Sequence, residues 1–528
     1  MRLFICSVTI LMIVGGVSSG SSAWRVVLDD LVSAQDAVLE ENLLEELLEL
    51  EPAWSEVAAR MDSLRFPDIE TPGVPELRMA TCIDGVERPW VIVTPDDYES
   101  DERTPMLVVL HGGIGRADIL PDPLEHVAEN EFVAMAREHG WIAAVPFGQA
   151  GATWWEDVGT VNIHALVRTV KREYNVDDDR VWMIGFSDGA SAGFFFAMSD
   201  PTDYAAIVAM NGHMGVASLD GDRASYASNM ASTPLYATTT FHDGLYPSER
   251  MRVTLDMAER AGADILYREF EGEHSFEPWG DEELPRIARF LERHSRDPFP
   301  SKISWEAAGG EFGLCRWFAI DETIIGKRAP WHRDHNVALV SDRITFGFVP
   351  DWEYEGEGIP VSTLSDGDYP ATQMGMAEGD IIVAGNSTPV TSLDDLNDFK
   401  GTLARGDAFS LTVERDGEEL ILDGLLPEKE NYYIFKREVP SGAVRVRHSA
   451  NRVNIRQSLV GSFRILVHPD MFNVNEPITV TVGEQVLFDG LVEPDLKFLL
   501  RNFLENRDRS LIYIAELEFD LQVAREAP

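Results

Sequence analysis

The stretch Gly185-Phe186-Ser187-Asp188-Gly189 follows directly on the apolar run Val181-Trp182-Met183-Ile184, and its reading decides the fold. A serine with glycine two residues to either side reads as a tight corner between a strand and a helix. Such a corner strains the serine backbone so that its Oγ stands clear at the top of a sheet, and a Cβ at either glycine would collide there. The segment after it, Ala190-Ser191-Ala192-Gly193, is small enough for a helix to lie close against that sheet. Gly-x-Ser-x-Gly by itself is a weak pattern; the strand before it and the small-residue helix after it make it specific.

Outward from this corner, apolar runs alternate with longer helical segments. The pattern predicts strands at Met106–Leu110, Trp141–Val145, Val181–Ile184, Ala206–Met210, Leu235–Thr239 and Ile265–Phe270. Helices are predicted at about 126–139, 159–174, 188–199, 248–261 and 282–294. Such alternation implies a doubly wound, mostly parallel sheet covered on both faces. The serine corner then lies at the carboxyl end of a central strand, where these sheets keep their active sites. A hairpin, Leu77 to Ile83 and Trp90 to Val93 around Asp84-Gly85, precedes the first of these strands.

An acyl-transfer serine needs a base, a group to orient that base, and donors for the oxyanion. Asp243, within His242-Asp243-Gly244-Leu245-Tyr246-Pro247, comes just after the strand ending near Thr239. His274, within Gly272-Glu273-His274-Ser275-Phe276, comes just after the next strand. Both are strand-end loops on the rim that carries Ser187.

Through His111-Gly112-Gly113, the serine corner, Asp243 with Pro247 four residues on, and His274, residues 77–294 resemble a secreted α/β-hydrolase of the esterase and polyester-depolymerase-like group. The resemblance implies Ser187 as nucleophile, His274 as general acid and base, and Asp243 as the carboxylate that orients it, with Glu249 and Asp281 as alternative acids. It also implies an oxyanion hole made by the backbone N–H of Asp188 and that of Gly113 or Ile114. Asp188 puts a carboxylate beside the nucleophile. In the first turn of the following helix its charge is favoured by the helix dipole, so its side chain is expected to point away from the oxyanion or to contact substrate. His111 and His213 read as structural hydrogen-bonding residues. Trp154-Trp155 either line a substrate pocket or are buried under a loop.

Other constellations are weak. His332 and His335 have loosely metal-like spacing but lack a third ligand. Asp220-Gly221-Asp222 and Asp366-Gly367-Asp368 do not continue as calcium loops, and Gly112, Gly113 and Gly115 make no dinucleotide fingerprint. No metal and no organic cofactor are expected.

The chain has 528 residues, enough for roughly three domains. Met1-Arg2, an apolar stretch from Leu3 to Val17 and a small-residue exit ending at Ala23 have the layout of a signal peptide spanning 1–23. The apolar run is short for a membrane anchor, so a secreted or periplasmic chain with no membrane span after signal removal is expected. With 44 basic against 90 acidic residues the net charge is −46, which argues against nucleic acid and anionic membrane surfaces as partners. After the leader, Cys82 and Cys315 are left far apart in sequence and read as two thiols rather than a disulfide. Residues 24 to about 66 read as helix, with Leu39, Leu43, Leu44, Leu47, Leu48 and Leu50 forming a stripe that packs on the hydrolase or mediates self-association. A Pro/Gly linker then completes the segment 24–76.

Residues 343–429 resemble a bacterial-type PDZ domain through Gly375-Met376-Ala377-Glu378-Gly379-Asp380-Ile381-Ile382-Val383, the helix start Ser392-Leu393-Asp394-Asp395-Leu396 and the strand Ser410–Arg415. That resemblance implies a groove that takes a peptide C-terminus as an added strand, with Phe346, Gly347 and Phe348 at the carboxylate loop; a spacer or lid is the other reading. Short strands on both sides indicate an all-β, sandwich-like domain. Either it is split by the PDZ-like module into 299–342 and 430–528, or the units are consecutive after the hydrolase at 77–298. The combined expectation is an exported serine hydrolase acting on a small-molecule or polymeric ester. A prolyl-oligopeptidase-type peptidase and a non-catalytic scaffold are the alternatives.

Overall fold

The computed structural model describes residues 23–522 except 222, 342, 343, 352, 353, 355, 366, 367, 429 and 438. The leader up to residue 22, Asp222 and Asp366-Gly367 lie outside the described residues.

Three helices open the chain, α1 (Ala23–Ser33), α2 (Ala37–Glu49) and α3 (Trp54–Asp62), where the sequence predicted one. The breaks have local causes. The Asp36 carboxylate accepts the amide of Leu39 and starts α2 afresh, and Pro52 cannot continue it. The hydrolase portion follows as β1 (Glu76–Thr81), β2 (Glu87–Val93), β3 (Thr104–Leu110), α4 (Pro123–Ala128), α5 (Glu131–Glu138), β4 (Ile142–Pro146), α6 (Asp157–Glu173) and β5 (Val176–Phe186). Then come α7 (Asp188–Ser199), β6 (Ala206–Met210), α8 (Val216–Asp220), β7 (Leu235–Thr240), α9 (Ser248–Ala261), β8 (Ile265–Phe270) and α10 (Glu277–Glu292). The helix expected at 126–139 is two, because the Asn130 side chain caps α5 by accepting from Phe132 and Val133.

The eight strands form one sheet in the order β1-β2-β4-β3-β5-β6-β7-β8. β2 runs antiparallel to β1 and β4, and the remaining neighbours are parallel. This is an α/β-hydrolase sheet. Its strands are apolar on both faces because helices cover both: Met106, Val108 and Met183 face the core shared with α6, α7 and α9, while Leu107, Val109 and Trp182 face the one shared with α5 and α10.

The chain goes on through β9 (Lys302–Ala307), β10 (Leu314–Cys315), β11 (Phe318–Thr323) and β12 (Val337–Ser341). A separate unit follows: β13 (Phe348–Pro350), β14 (Ile359–Leu364), α11 (Pro370–Gln373), β15 (Ile381–Gly385), β16 (Thr388–Pro389), α12 (Leu393–Gly401), β17 (Ala408–Arg415) and β18 (Glu418–Leu425). These strands make a sheet in the order β13-β14-β15-β17-β18, with β16 beside β15, over a core of its own. The chain leaves by β19 (Glu430–Ile434), antiparallel to β12, so one two-stranded ribbon carries the chain in and out. The last elements are β20 (Gly442–Ser449), β21 (Arg452–Ser458), β22 (Val460–Val467), β23 (Ile478–Val482), β24 (Gln485–Gly490), α13 (Leu496–Asn506) and β25 (Ala515–Asp520).

Segments on either side of the separate unit share sheets: β9 with β20, and β11 with β22. The two sheets, β24-β23-β21-β20-β9 and β10-β11-β22-β25, share one core. That core also takes in Leu28, Leu44, Leu47 and Val57 of the N-terminal helices and Leu499 of α13. Of the N-terminal stripe, Leu44 and Leu47 are buried with the β portion rather than in the hydrolase cores, whereas Leu39 and Leu50 are exposed. Cys82 and Cys315 are free thiols, and burial pushes the Cys315 thiol up to about 11. Among the described residues no helix is long and apolar enough to cross a membrane.

Candidate active site

β5 runs straight into the serine corner. Ser187 sits at φ +57° and ψ −119°, strained for a residue with a Cβ. Its amide is held by the carbonyl of Met210 at the end of β6, at 2.9 Å. The glycines have steric reasons: a Cβ on Gly185 would stand 2.2 Å from the backbone of Gly189, and one on Gly189 would stand 2.1 Å from the Leu110 carbonyl oxygen. α7 can start only where those atoms are missing.

The loops after β5, β7 and β8 bring Ser187, Asp243 and His274 together. His274 Nε2 lies 2.9 Å from Ser187 Oγ, and His274 Nδ1 lies 2.8 Å from Asp243 Oδ2. Asp243 is fully enclosed, whereas the imidazole side chain stays 23% exposed. Besides the imidazole, Asp243 accepts from the amides of Leu245 and Tyr246, both at 2.8 Å, and from Asn211 Nδ2 at 3.0 Å. Burial pushes this carboxyl upward, but the bonds from His274, Tyr246 and Asn211 outweigh it and leave Asp243 below its ordinary value. Asp243 is therefore a fixed anion, satisfied on both oxygens. Glu249, in the first turn of α9, and Asp281, inside α10, are not hydrogen-bonded to the imidazole.

Asp188 does something the sequence did not suggest. Its Oδ2 accepts the amide of Ile114 at 3.0 Å, and its Oδ1 accepts from the Tyr246 phenol Oη at 3.5 Å. The Ile114 N–H is thereby committed. Among the described residues no acceptor is recorded for the amides of Gly113 and Asp188. Gly113 has φ +69°, which turns the 112–115 loop toward the serine. Gly112 lies so close that a Cβ there would meet the Ser187 Cβ at 2.8 Å.

Trp154 and Trp155, at 0% and 4% exposure, are core residues, the buried one of the two readings the sequence left open, and neither is among the residues lining the cleft at His274. Trp154 donates its indole N–H to the His111 carbonyl at 3.0 Å, at the start of the 112–115 loop. His111 is structural, donating from Nδ1 to the Gly112 carbonyl and accepting the Gly148 amide at Nε2. Burial holds it near 4, as it does His213. His332 is bonded to Glu306 and Ser458, at 2.8 and 3.0 Å.

Two further groups were missed. Asn211, fully buried at φ +53°, ties Asp243 to Thr240. Only its position right after β6 hinted at this. The second is an aromatic wall on which the imidazole leans: Phe186 and Tyr246 lie 5.0 and 5.9 Å from the His274 ring, with Phe276 behind Phe186. Phe186 and Phe276 sit one residue before the serine and two after the histidine.

His274 lines a cleft of about 670 Å³ between two parts of the molecule. Leu245, Glu273 and His274 line it, as does Ile344; so do Asn397 and Lys400 of α12, and Leu403 just beyond that helix. At the expected carboxylate loop, Phe346 is a core residue at 1% exposure, packed on Phe409. Gly347, at φ +87°, leaves no room for a side chain, since a Cβ would fall 2.1 Å from Tyr369. Phe348 begins edge strand β13.

No protein-family model matches the chain. Over 90 residues, 16% of this chain, it is 29% identical to the bifunctional acetylxylan esterase/xylanase XynS20E of Neocallimastix patriciarum; the match spans 12% of that relative's length. Among solved structures, esterase 2 of Thermogutta terrifontis is similar at 19% identity over 44% of this chain and 97% of its own, with a TM-score of 0.35. The fluorophosphonate-binding serine hydrolase FphF of Staphylococcus aureus is similar at 16% identity over 42% and 98%, also with a TM-score of 0.35. A thermostable esterase is similar at 19% identity over 42% of this chain and 63% of its own, with a TM-score of 0.33. The neighbours are esterases and serine hydrolases.

Proposed function

We propose that the chain is an exported serine hydrolase that cleaves esters through Ser187, His274 and Asp243. The observation that carries this reading is the unbroken line of hydrogen bonds from Ser187 Oγ through the imidazole to a buried carboxylate, 2.9 and then 2.8 Å. With Asp243 accepting from Nδ1–H, the Nε2 lone pair faces the hydroxyl. Ser187 Oγ attacks the ester carbonyl as its proton passes to Nε2. The amides of Gly113 and Asp188 receive the oxyanion. Collapse of that intermediate expels the alkoxide, which takes the proton from Nε2 and leaves an acyl-serine. Water then gives a proton to Nε2, attacks the acyl group and frees the acid and Ser187. Asp243 stays ionised throughout and compensates the transient imidazolium.

Export rests on the leader-like layout of residues 1–23. The 90-residue likeness to a bifunctional acetylxylan esterase/xylanase is in keeping with an ester substrate. The cleft between the triad and α12 supports a role for the PDZ-like unit in presenting an extended substrate or a peptide C-terminus at the catalytic rim.

A fluorophosphonate probe tests the core of the reading. It should label the wild type and leave Ser187→Ala unlabelled; absence of labelling in the wild type overturns the catalytic account. On p-nitrophenyl esters and peptide anilides, turnover of the esters alone is expected, and anilide turnover at a comparable rate would make the protein a peptidase.

A further inference from the structure

A second cavity lies at the opposite end of the sheet, where the N-terminal helices, α6 and the end of α13 meet. Its volume is about 600 Å³, a size that suits a small organic ligand. The chain as a whole carries twice as many acidic as basic residues, yet seven basic side chains line this cavity against a single carboxylate, Asp29.

Five of the seven have carboxylate partners in the protein. Arg60 pairs with Asp29 at 2.6 Å, Lys171 with Asp508 at 2.7 Å and Arg172 with Glu173 at 2.9 Å. Arg507 pairs with Glu40 at 2.8 Å and Arg509 with Asp178 at 3.1 Å. For the other two, Arg25 and Arg65, no carboxylate partner is recorded among the described residues, and both stand exposed at the mouth. The Nε of Arg172, another lining residue, is buried without a hydrogen-bond acceptor, which ordinarily costs free energy. Burial and the repulsion of Arg172 and Arg168 pull Arg507 down to about 10 in spite of Glu40. Positive charge is therefore in excess here. Between the cations lie Val32, Leu64, Phe66 and Phe503, a dry surface that a bare inorganic ion would leave uncovered.

We propose that this cavity is a binding site for a small organic anion, a phosphate or carboxylate headgroup on an apolar body. The headgroup lies among Arg25, Arg65 and Arg172, and the body lies against Phe66 and Phe503. The site is separate from the triad. Asp178, which pairs with Arg509, and Ser187 stand at opposite ends of β5, roughly 30 Å apart at about 3.3 Å per residue. A ligand here would bridge the N-terminal helices, the hydrolase sheet and α13, so it would hold three parts of the molecule together.

Isothermal titration of the purified protein with octyl phosphate, inorganic phosphate and octanol at constant ionic strength tests this. Octyl phosphate should bind with one-to-one stoichiometry and at least tenfold more tightly to the wild type than to an Arg25→Gln/Arg65→Gln double variant. Inorganic phosphate should compete with it, showing that the charged end is held. Equal affinity in the two proteins, octanol binding as tight as octyl phosphate, or no competition by phosphate would each overturn the assignment. Both substitutions are at exposed positions, and unchanged p-nitrophenyl acetate turnover in the double variant shows that it is folded.

Discussion

The two ends of β5 are built from the same kinds of side chain for opposite purposes. At its carboxyl end one enclosed carboxylate, Asp243, faces one imidazole, His274, which in turn faces the neutral Ser187 hydroxyl. At its amino end, Asp178, Lys171, Arg296, Arg509 and Asp508 are all buried and paired with one another, at distances from 2.7 to 3.5 Å. In the proposed reaction a proton moves at the first end, and there the imidazole has a partner on each side and some access to solvent. At the second end every ion is caught between several others, and the result is a dock for residues 508–510 on the base of the sheet. Strain separates them too: Ser187 is held at an unfavourable φ by its surroundings, whereas β5 is extended at its start, where Asp177-Asp178-Asp179 continue the strand.

Substitutions at the two ends should therefore fail in different ways. Ser187→Ala is expected to lower kcat by about 10⁴-fold or more, with thermal unfolding unmoved; a large drop in stability would show that the corner serves the fold as well. Asp508→Ala leaves Lys171 and Arg296 without their shared anion and should cost about 3–5 kcal/mol in urea unfolding, with the specific activity of the folded fraction retained. A loss of activity without loss of stability would mean that the base of the sheet communicates with the triad. Asn211→Ala removes one of four donors to Asp243 and should reduce kcat by about tenfold, or about 1.4 kcal/mol, with KM unchanged, because Asn211 acts on substrate only through the carboxylate.

The smallest effect concerns acid. Burial raises the Glu306 carboxyl, but Arg437 and His332 outweigh it and hold it near 2 against an ordinary 4.5. A carboxylate held low contributes its stability fully above pH 4.5 and loses it as the pH falls toward 2. Glu306→Gln should thus flatten the decline in thermal stability over that window, measured by scanning calorimetry; an unchanged slope would assign the decline to other carboxylates.

Local chemistry made the three loops of the site readable in advance. A glycine-flanked serine after a strand, and an acid and a histidine each just past a later strand, are statements about a few adjacent residues. Asn211 was not readable, because nothing next to it in sequence says that the loop after β6 will reach Asp243. Asp188 was read only from its helix, and its bond to Ile114 depends on how the loop after β3 crosses the serine corner. Trp154 and Trp155 could have gone either way, since an indole pair in a loop looks the same whether the loop closes over it or not. The N-terminal leucine stripe was legible as apolar, while the surface that buries Leu44 and Leu47 was not.

What the sequence determined by itself was short-range: which segments alternate as strand and helix, where a strained turn must have glycine, and which residues can donate or accept a proton. Tertiary structure alone decided which side chains meet. It set the aromatic wall beside His274, placed α12 opposite the triad, and gathered arginines from segments hundreds of residues apart around one cavity. The physical reason is that backbone conformation depends on near neighbours, whereas burial, charge pairing and contact depend on the whole chain having closed on itself.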